Sequence, residues 1–374
     1  MCRRIHLEWV HQVCGGSMQG SSTTTSRRCP RSVRAFEQYV SGRRELAAGT
    51  VFFLESGEHL RDVLRAARRR DVVLAPPGSV RRGDANVIGY RGRFREPGDR
   101  LVLDGHHVIE LQDYVAAPFL SIVARTVLRQ RSAEGVAALL SDADTARDYG
   151  IFVDQLLSRA VLLESRMSFA PTPAAAGSVV RVHVTADGEY RDGPDGLLLG
   201  HVGDERAEIE AAAVAGAGRG RSFARIVDRR VLEADLDDRP WLGRYLAALD
   251  LLRERHGGPG RPTVSGFGGH LVRALDESAA FPIVVSADAP FLVTGEGDEY
   301  LVLDPVGHRR LRLGLEAARA AECLIATEDE SSATALLAFE LGVRPTTVAP
   351  RIHEVRNALS SAGFDLPADA RGAA

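Results

Sequence analysis

Hydrophobic and polar positions change period in a readable order between Pro290 and Phe364. Phe291-Leu-Val-Thr-Gly and Tyr300-Leu-Val-Leu-Asp are short apolar runs separated by Glu296-Gly-Asp-Glu, a turn composition. After a second turn at Pro305-Val-Gly307, Arg309-Arg-Leu-Arg-Leu313 alternates, Leu311 and Leu313 on one face, Arg310 and Arg312 on the other. Three strands are predicted. Three helices follow. The first covers Leu315 to Ala326. The second starts at Thr327-Glu-Asp-Glu330, which fits a capping box, and stops at Gly342. The third begins near Thr346 or Thr347, with Pro350 in its first turn; Val348, Ile352, Val355 and Leu359 form one apolar stripe.

Upstream, the pattern predicts an α/β region from about Val33. Thr50–Glu55 reads as a buried strand, Ser56 to Arg70 as a helix and Asp71–Ala75 as a second strand, a unit that implies parallel pairing. Arg100–Asp104, Val108–Gln112 and Ser121–Leu128 read as further strands, and Ala133 to Ala146 as a helix. Ala170-Pro-Thr-Pro-Ala-Ala-Ala-Gly177 breaks the composition like a linker. Beyond it, strands are predicted at Ser178–Thr185, Gly196–His201 and Ser222–Val227, and helices over Ala207–Ala215 and Trp241–Arg255. The expected organisation is a disordered tail over 1–32, an α/β domain over 33–170, an α/β middle region over 171–286, a C-terminal unit over 287–366 and a tail over 367–374.

The chain has 374 residues, enough for two or three domains, with 45% hydrophobic and 26% charged residues, a globular composition. A net charge of -3 argues against a protein that coats nucleic acid. There is no lysine, so all 47 basic residues are arginine, which points to a GC-rich, bacterial coding sequence. Four cysteines (Cys2, Cys14, Cys29, Cys323) make neither a disulfide framework nor a CxxC metal pattern, and a reducing cytoplasm is the expectation. No apolar run reaches the roughly 18–20 residues of a membrane span.

Candidate chemistry is sparse. Cys2, His6, His11 and Cys14 match no zinc spacing. Gly216-Ala-Gly-Arg-Gly220 offers backbone N–H groups to a phosphate, but it follows a helix, so a helix-to-strand turn is the plainer reading. Gly266-Phe-Gly-Gly269 lies between a strand and a helix pattern without completing a dinucleotide fingerprint, and a Walker lysine is impossible here. His106-His107 reads as turn histidines, Asp235-Leu-Asp-Asp as a solvated loop or cap, and Asp113-Tyr114 as a satisfied buried pair. No nucleophile elbow, HExxH or catalytic cysteine signature appears, so neither catalysis nor a metal or cofactor is expected.

Two helices joined by a tight glycine turn, with three strands leading in, make a winged-helix pattern. The strands come first, unlike many DNA-binding winged helices. This order over about the last fifth of the chain resembles the RiPP recognition elements, the peptide-binding domains of the pyrroloquinoline-quinone peptide chaperone type. With Leu111-Gln-Asp-Tyr-Val-Ala-Ala-Pro-Phe-Leu120 in its first half, the whole chain is similar to the daptide biosynthesis RiPP recognition proteins. The resemblance implies an adaptor that binds the leader of a ribosomal precursor peptide by strand addition. It would present the precursor to an oxidative decarboxylase, an aminotransferase and a methyltransferase. The guest would add beside Arg309, Arg310, Leu311, Arg312 and Leu313 and pack on Val348, Arg351, Ile352, Val355 and Arg356. Arg310, Arg312, Arg351, His353 and Arg356 would make a basic rim suited to an acidic leader. Arginines on an edge strand also simply deter aggregation.

Two other functions are compatible with the sequence. One is a DNA-binding regulator using Thr346, Thr347, Arg351 and Arg356, against which the carboxylates of 327–330 count. The other is a nucleotide-dependent peptide-modifying enzyme with the C-terminal unit as its clamp. Neither a membrane nor a nucleic-acid partner is the leading expectation.

Overall fold

A computed structural model describes residues 30–44, 47–79, 86–169, 179–255, 262–281, 283, 285, 289–295, 299–305, 309–327, 329–364 and 366. The expected tails lie outside these residues except at 30–32, as do Cys2, His6, His11 and Cys14. The first helix already begins at Arg31. The described chain forms two compact units, one from 30–141 and 153–243, the other from 142–152 and 244–366.

The first unit is α/β around a mixed sheet of ten strands. Its elements are α1 (Arg31–Ser41), β1 (Val51–Leu54), α2 (Leu60–Ala66), β2 (Val72–Ala75), β3 (Val87–Gly92), β4 (Arg100–Leu103), β5 (His107–Asp113) and β6 (Arg125–Arg129). Then come α3 (Ala133–Tyr149, to Ser141), β7 (Val161–Leu163), β8 (Arg181–Val184), β9 (Glu189–Arg191), β10 (Leu198–His201), α4 (Arg206–Ala215) and α5 (Arg229–Asp237). The strand order is β10-β9-β8-β1-β2-β3-β4-β5-β6-β7. β1 pairs with β2 in parallel, as the strand–helix–strand reading requires.

Several expectations are corrected. β8 lies beside β1, Val51 opposite Arg181, so the linker-like stretch at 170–177 does not separate two domains. The reason is physical: β1 is buried along its whole length and needs a ladder partner on each side. The stretch between the strands expected at 178–185 and 196–201 contains β9, and β3 adds a strand at 87–92. Ser222–Val227 is no strand; Arg219–Phe223 is a 3-10 turn followed by a further turn over 224–226. Ser121–Ala124 stays outside β6. At Asp113-Tyr114, the Asp113 carboxylate caps the 3-10 turn Tyr114–Phe119 by accepting from the Val115 N–H, and Tyr114 is buried.

An aromatic column fills one side of this sheet. Phe53 stacks on Tyr90 (centroids 5.0 Å), Tyr39 (4.7 Å) and His183 (5.8 Å). The His183 ring bridges the Tyr39 hydroxyl (2.8 Å) and Glu55 (3.3 Å). Burial alone would raise the Glu55 carboxyl. The hydrogen bond from His183, its charge, the Ala186 N–H and Arg95 outweigh that and hold it at about 2, below the ordinary 4.5. A depressed folded-state value means stability that is present above pH 4.5 and lost as pH falls through about 2. Acid unfolding followed by circular dichroism should therefore be shallower for Glu55→Gln than for the wild type across that window. Equal slopes would contradict the assignment.

The second unit contains α6 (Leu242–Arg255, from Arg244), β11 (Thr263–Val264), α7 (Ala274–Glu277), β12 (Phe291–Thr294), β13 (Tyr300–Leu303), β14 (Arg310–Leu313), α8 (Leu315–Ala326), α9 (Glu330–Leu341) and α10 (Pro345–Ser361). The strands form one antiparallel sheet in chain order. α8 is central: Ala317, Ala318, Ala320, Ala321 and Cys323 are all buried, small enough for other elements to approach closely. Asp329, not Thr327, is the N-cap of α9, accepting from the Ser332 N–H at 2.8 Å. Gly342 ends α9 in the left-handed region (φ 63°). α10 opens at Pro345, earlier than expected, which puts Pro350 inside the helix rather than in its first turn.

The unit also extends upstream of the expected boundary at 287. β11 pairs with β12. Glu322 on α8 is buried and accepts from the Leu271 N–H (2.9 Å), the Val272 N–H and the Ser265 hydroxyl. Burial pushes its carboxyl up, against the Ser265 and Leu271 hydrogen bonds. A fragment limited to 287–366 would lose all three donors and leave a buried acid unsatisfied.

Candidate functional site

β14 is the last strand of its sheet, and no backbone among the described residues pairs with its outer side. The Asp304 N–H donates to the Arg309 carbonyl at 3.0 Å. Antiparallel ladders alternate, so the next bonded pairs are Val302 with Leu311 and Tyr300 with Leu313. The N–H and C=O groups of Arg310 and Arg312 are then the ones that face outward. The apolar side chains of β14 point the other way: Leu311 and Leu313 are buried in the core under α8 and α10.

Between β14 and α10 lies a crevice lined by Leu311, Leu313, Ala317, Glu354, Val355, Ala358 and Leu359. Its volume is about 10 Å³, room for about one water. Of the helix residues expected to meet a guest, Val355 reaches the crevice. Val348 and Ile352 do not; they are core residues, Ile352 fully buried. Ala317, Glu354, Ala358 and Leu359 join the lining. The small alanines opposite leucines are what leave the gap, and an alanine has no sequence signal that distinguishes this use from ordinary helix filling.

The arginines expected to form a basic rim are mostly paired within the chain. Arg310 meets Glu254 (2.9 Å) and Arg312 meets Glu299 (3.8 Å). Arg309 meets Asp304 (3.4 Å) and donates to the Gly363 carbonyl. Arg356 and His353 share Glu330, at 2.7 and 3.2 Å. The Arg356 hydrogen bond and burial lead the influences on Glu330, and the net effect holds its carboxyl below the ordinary value. Of Arg309, Arg310, Arg312, Arg351 and Arg356, only Arg351 has no ion pair among the described residues. The pairs on β14 are substantially exposed, and such pairs contribute ~0–1 kcal/mol. A carboxylate arriving at the edge could exchange with Glu254 or Glu299 at little cost. It would find a rim already neutralised in large part, not a free basic patch.

Elsewhere, His106 and His107 lie with ring centroids 4.0 Å apart, tilted by 43°, at the turn between β4 and β5, His106 bonding the Asp104 carbonyl. The acidic run at 235–238 closes α5. Among the described residues, no group of three His, Cys, Asp or Glu is placed to hold a metal ion, and no helix is long and apolar enough to cross a membrane. Cys323 is buried, which pushes its thiol far up and leaves it unreactive. Comparison with protein-family models, with curated proteins and with solved structures finds no match to this chain.

Proposed function

We propose that the C-terminal unit is a winged-helix RiPP recognition element with an added strand, β11, and that the protein captures a precursor's leader peptide as a fifth strand on β14. The observation that carries this reading is the outer edge of β14, unpaired among the described residues and set beside the crevice under α10. In the daptide-type setting, the captured precursor would be handed to an oxidative decarboxylase, an aminotransferase and a methyltransferase. The protein itself would be non-catalytic.

Geometry limits the affinity. Two outward-facing residues offer four ladder bonds, worth ~2–6 kcal/mol at ~0.5–1.5 each. Micromolar binding needs ~8 kcal/mol, and ordering a leader costs ~2–5 more. Apolar leader side chains must supply the difference. Since the crevice holds about one water, α10 must lean away from β14 to admit them. The ion pairs of Arg356 and His353 with Glu330 oppose the regulator reading, because they hold a carboxylate of α9 against the face of α10 that would meet DNA phosphates.

The test is a fluorescence-anisotropy titration of the full chain with a labelled precursor peptide encoded beside its gene. Saturable binding is expected. Absence of binding up to about 100 µM, a limit of roughly 5.5 kcal/mol, would reject the proposal.

A further inference from the structure

The free basic groups that the β14 rim lacks are found in the ten-stranded unit, on β3 and the turn after it. Arg91, Arg93 and Arg95 are exposed, while Tyr90 and Phe94 beside them are buried. Arg91 lies opposite Val102 of β4, which lies opposite Val108 of β5. Residues paired across a ladder share a face, so this face carries Arg91, Arg100, Val102, Val108 and Glu110. Val108 is 42% exposed. The opposite face, with Tyr90, Leu101, Leu103 and Ile109, is the one in the core.

The nearby carboxylates are already engaged. Glu110 accepts from Arg100 (3.2 Å) and Gln112 (2.6 Å). Glu96 meets Arg131 at 2.6 Å. The Asp99 carboxylate holds the turn, accepting the Arg95 and Glu96 N–H groups at 2.8 Å each. Asp99 and Glu55 act on Arg93 and Arg95 only through space. Among the described residues, the guanidinium groups of Arg91, Arg93 and Arg95 have neither a hydrogen bond nor an ion pair.

Two plainer explanations fail. Arginines that guard an open ladder belong on edge strands, but β3 lies between β2 and β4. Arginines that stabilise a sheet do so through a carboxylate across the ladder, as Arg100 does with Glu110; Arg91 has Val102 there. Three like charges so close together repel one another until a counter-charge arrives. A guanidinium is weakly hydrated and meets a carboxylate at two points. A nucleic acid fits less well: no residue of this face is aromatic, so no base can stack on it, and Glu96, Asp99 and Glu110 would repel phosphates. We propose that the β3–β4 face binds an acidic polypeptide segment, its Asp and Glu side chains paired with Arg91, Arg93 and Arg95. This site does not depend on strand addition at β14.

Anisotropy titration of the full chain with a labelled peptide of six Glu-Ser repeats tests this. Six Gln-Ser repeats and an oligothymidylate of equal length are the comparisons. The glutamate peptide should bind saturably, more weakly as salt rises, and the glutamine peptide should not bind. Arg91→Gln, Arg93→Gln and Arg95→Gln combined should weaken binding tenfold or more. Arg61→Gln, Arg69→Gln and Arg70→Gln combined remove as many exposed charges from the same unit and should leave binding within about twofold. Should the first triple variant not fold, Arg93→Gln alone must still weaken binding about threefold or more. The proposal is overturned if the glutamate peptide shows no saturable binding below about 1 mM, if the glutamine peptide or the oligothymidylate binds as tightly, or if the two triple variants behave alike.

Discussion

Glu164→Ala should destabilise the ten-stranded unit by about 3–5 kcal/mol. Glu164 and Arg129 form a two-point ion pair at 2.7 and 3.0 Å, each side chain only 4% exposed. The Arg129 guanidinium also lies 5.2 Å from the Phe94 ring, and the nearby Glu164 charge offsets its desolvation. Deleting the carboxylate leaves a buried cation among Phe94, Tyr39 and the sheet, with no water to replace its partner. For a unit of this size the loss corresponds to a fall in melting temperature of roughly 6–20 °C. The double replacement Arg129→Met with Glu164→Leu removes both charges and should recover most of it. Urea unfolding of the three proteins checks both statements; a Glu164→Ala cost below about 1 kcal/mol would mean that water reaches the pair.

The second large effect separates two neighbouring residues of β14. Arg312→Pro should leave the fold within about 1 kcal/mol of the wild type, because its N–H faces the open edge and proline is tolerated there. The same substitution puts a ring where a guest strand must lie and removes a ladder donor. Peptide binding should fall tenfold or more. Leu311→Pro is the opposite case. Leu311 is buried and opposite Val302, so proline there breaks the β13–β14 ladder and should unfold the unit. Anisotropy titration and thermal unfolding together read the pair. Peptide binding by Arg312→Pro equal to the wild type would sink strand addition at this edge. Equal destabilisation by both would mean the outward-facing residues are the other set.

The elements of the second unit were legible because each carried its own local signal. Alternation marks β14, turn residues bound β12 and β13, and the four-residue stripe from Val348 to Leu359 is buried as its period demands. Much of what surrounds them was not legible. β9 is three residues inside a Gly- and Asp-rich stretch and is held by pairing to β8 and β10, not by propensity. Thr263–Val264 reads as a strand, but its place beside β12 depends on a contact about thirty residues away. The capping box legible at Thr327 and Glu330 is not the one used; Asp329, two residues on, takes the cap. For the candidate site, the open edge follows from strand order. The pairing of Arg310 and Arg312 with Glu254 and Glu299 depends on side-chain reach between segments, which no local pattern encodes.

The position of β8 beside β1 has a consequence for biosynthesis. Val51 emerges from the ribosome roughly 130 residues before its neighbour Arg181, an interval of roughly 6–26 s at ordinary elongation rates. Until then the nascent chain carries a wholly apolar strand, Val51–Leu54, with one side unclaimed. Such a segment invites pairing between polysome neighbours, so the yield of active protein should depend on chaperone supply and translation speed more than its final stability would suggest.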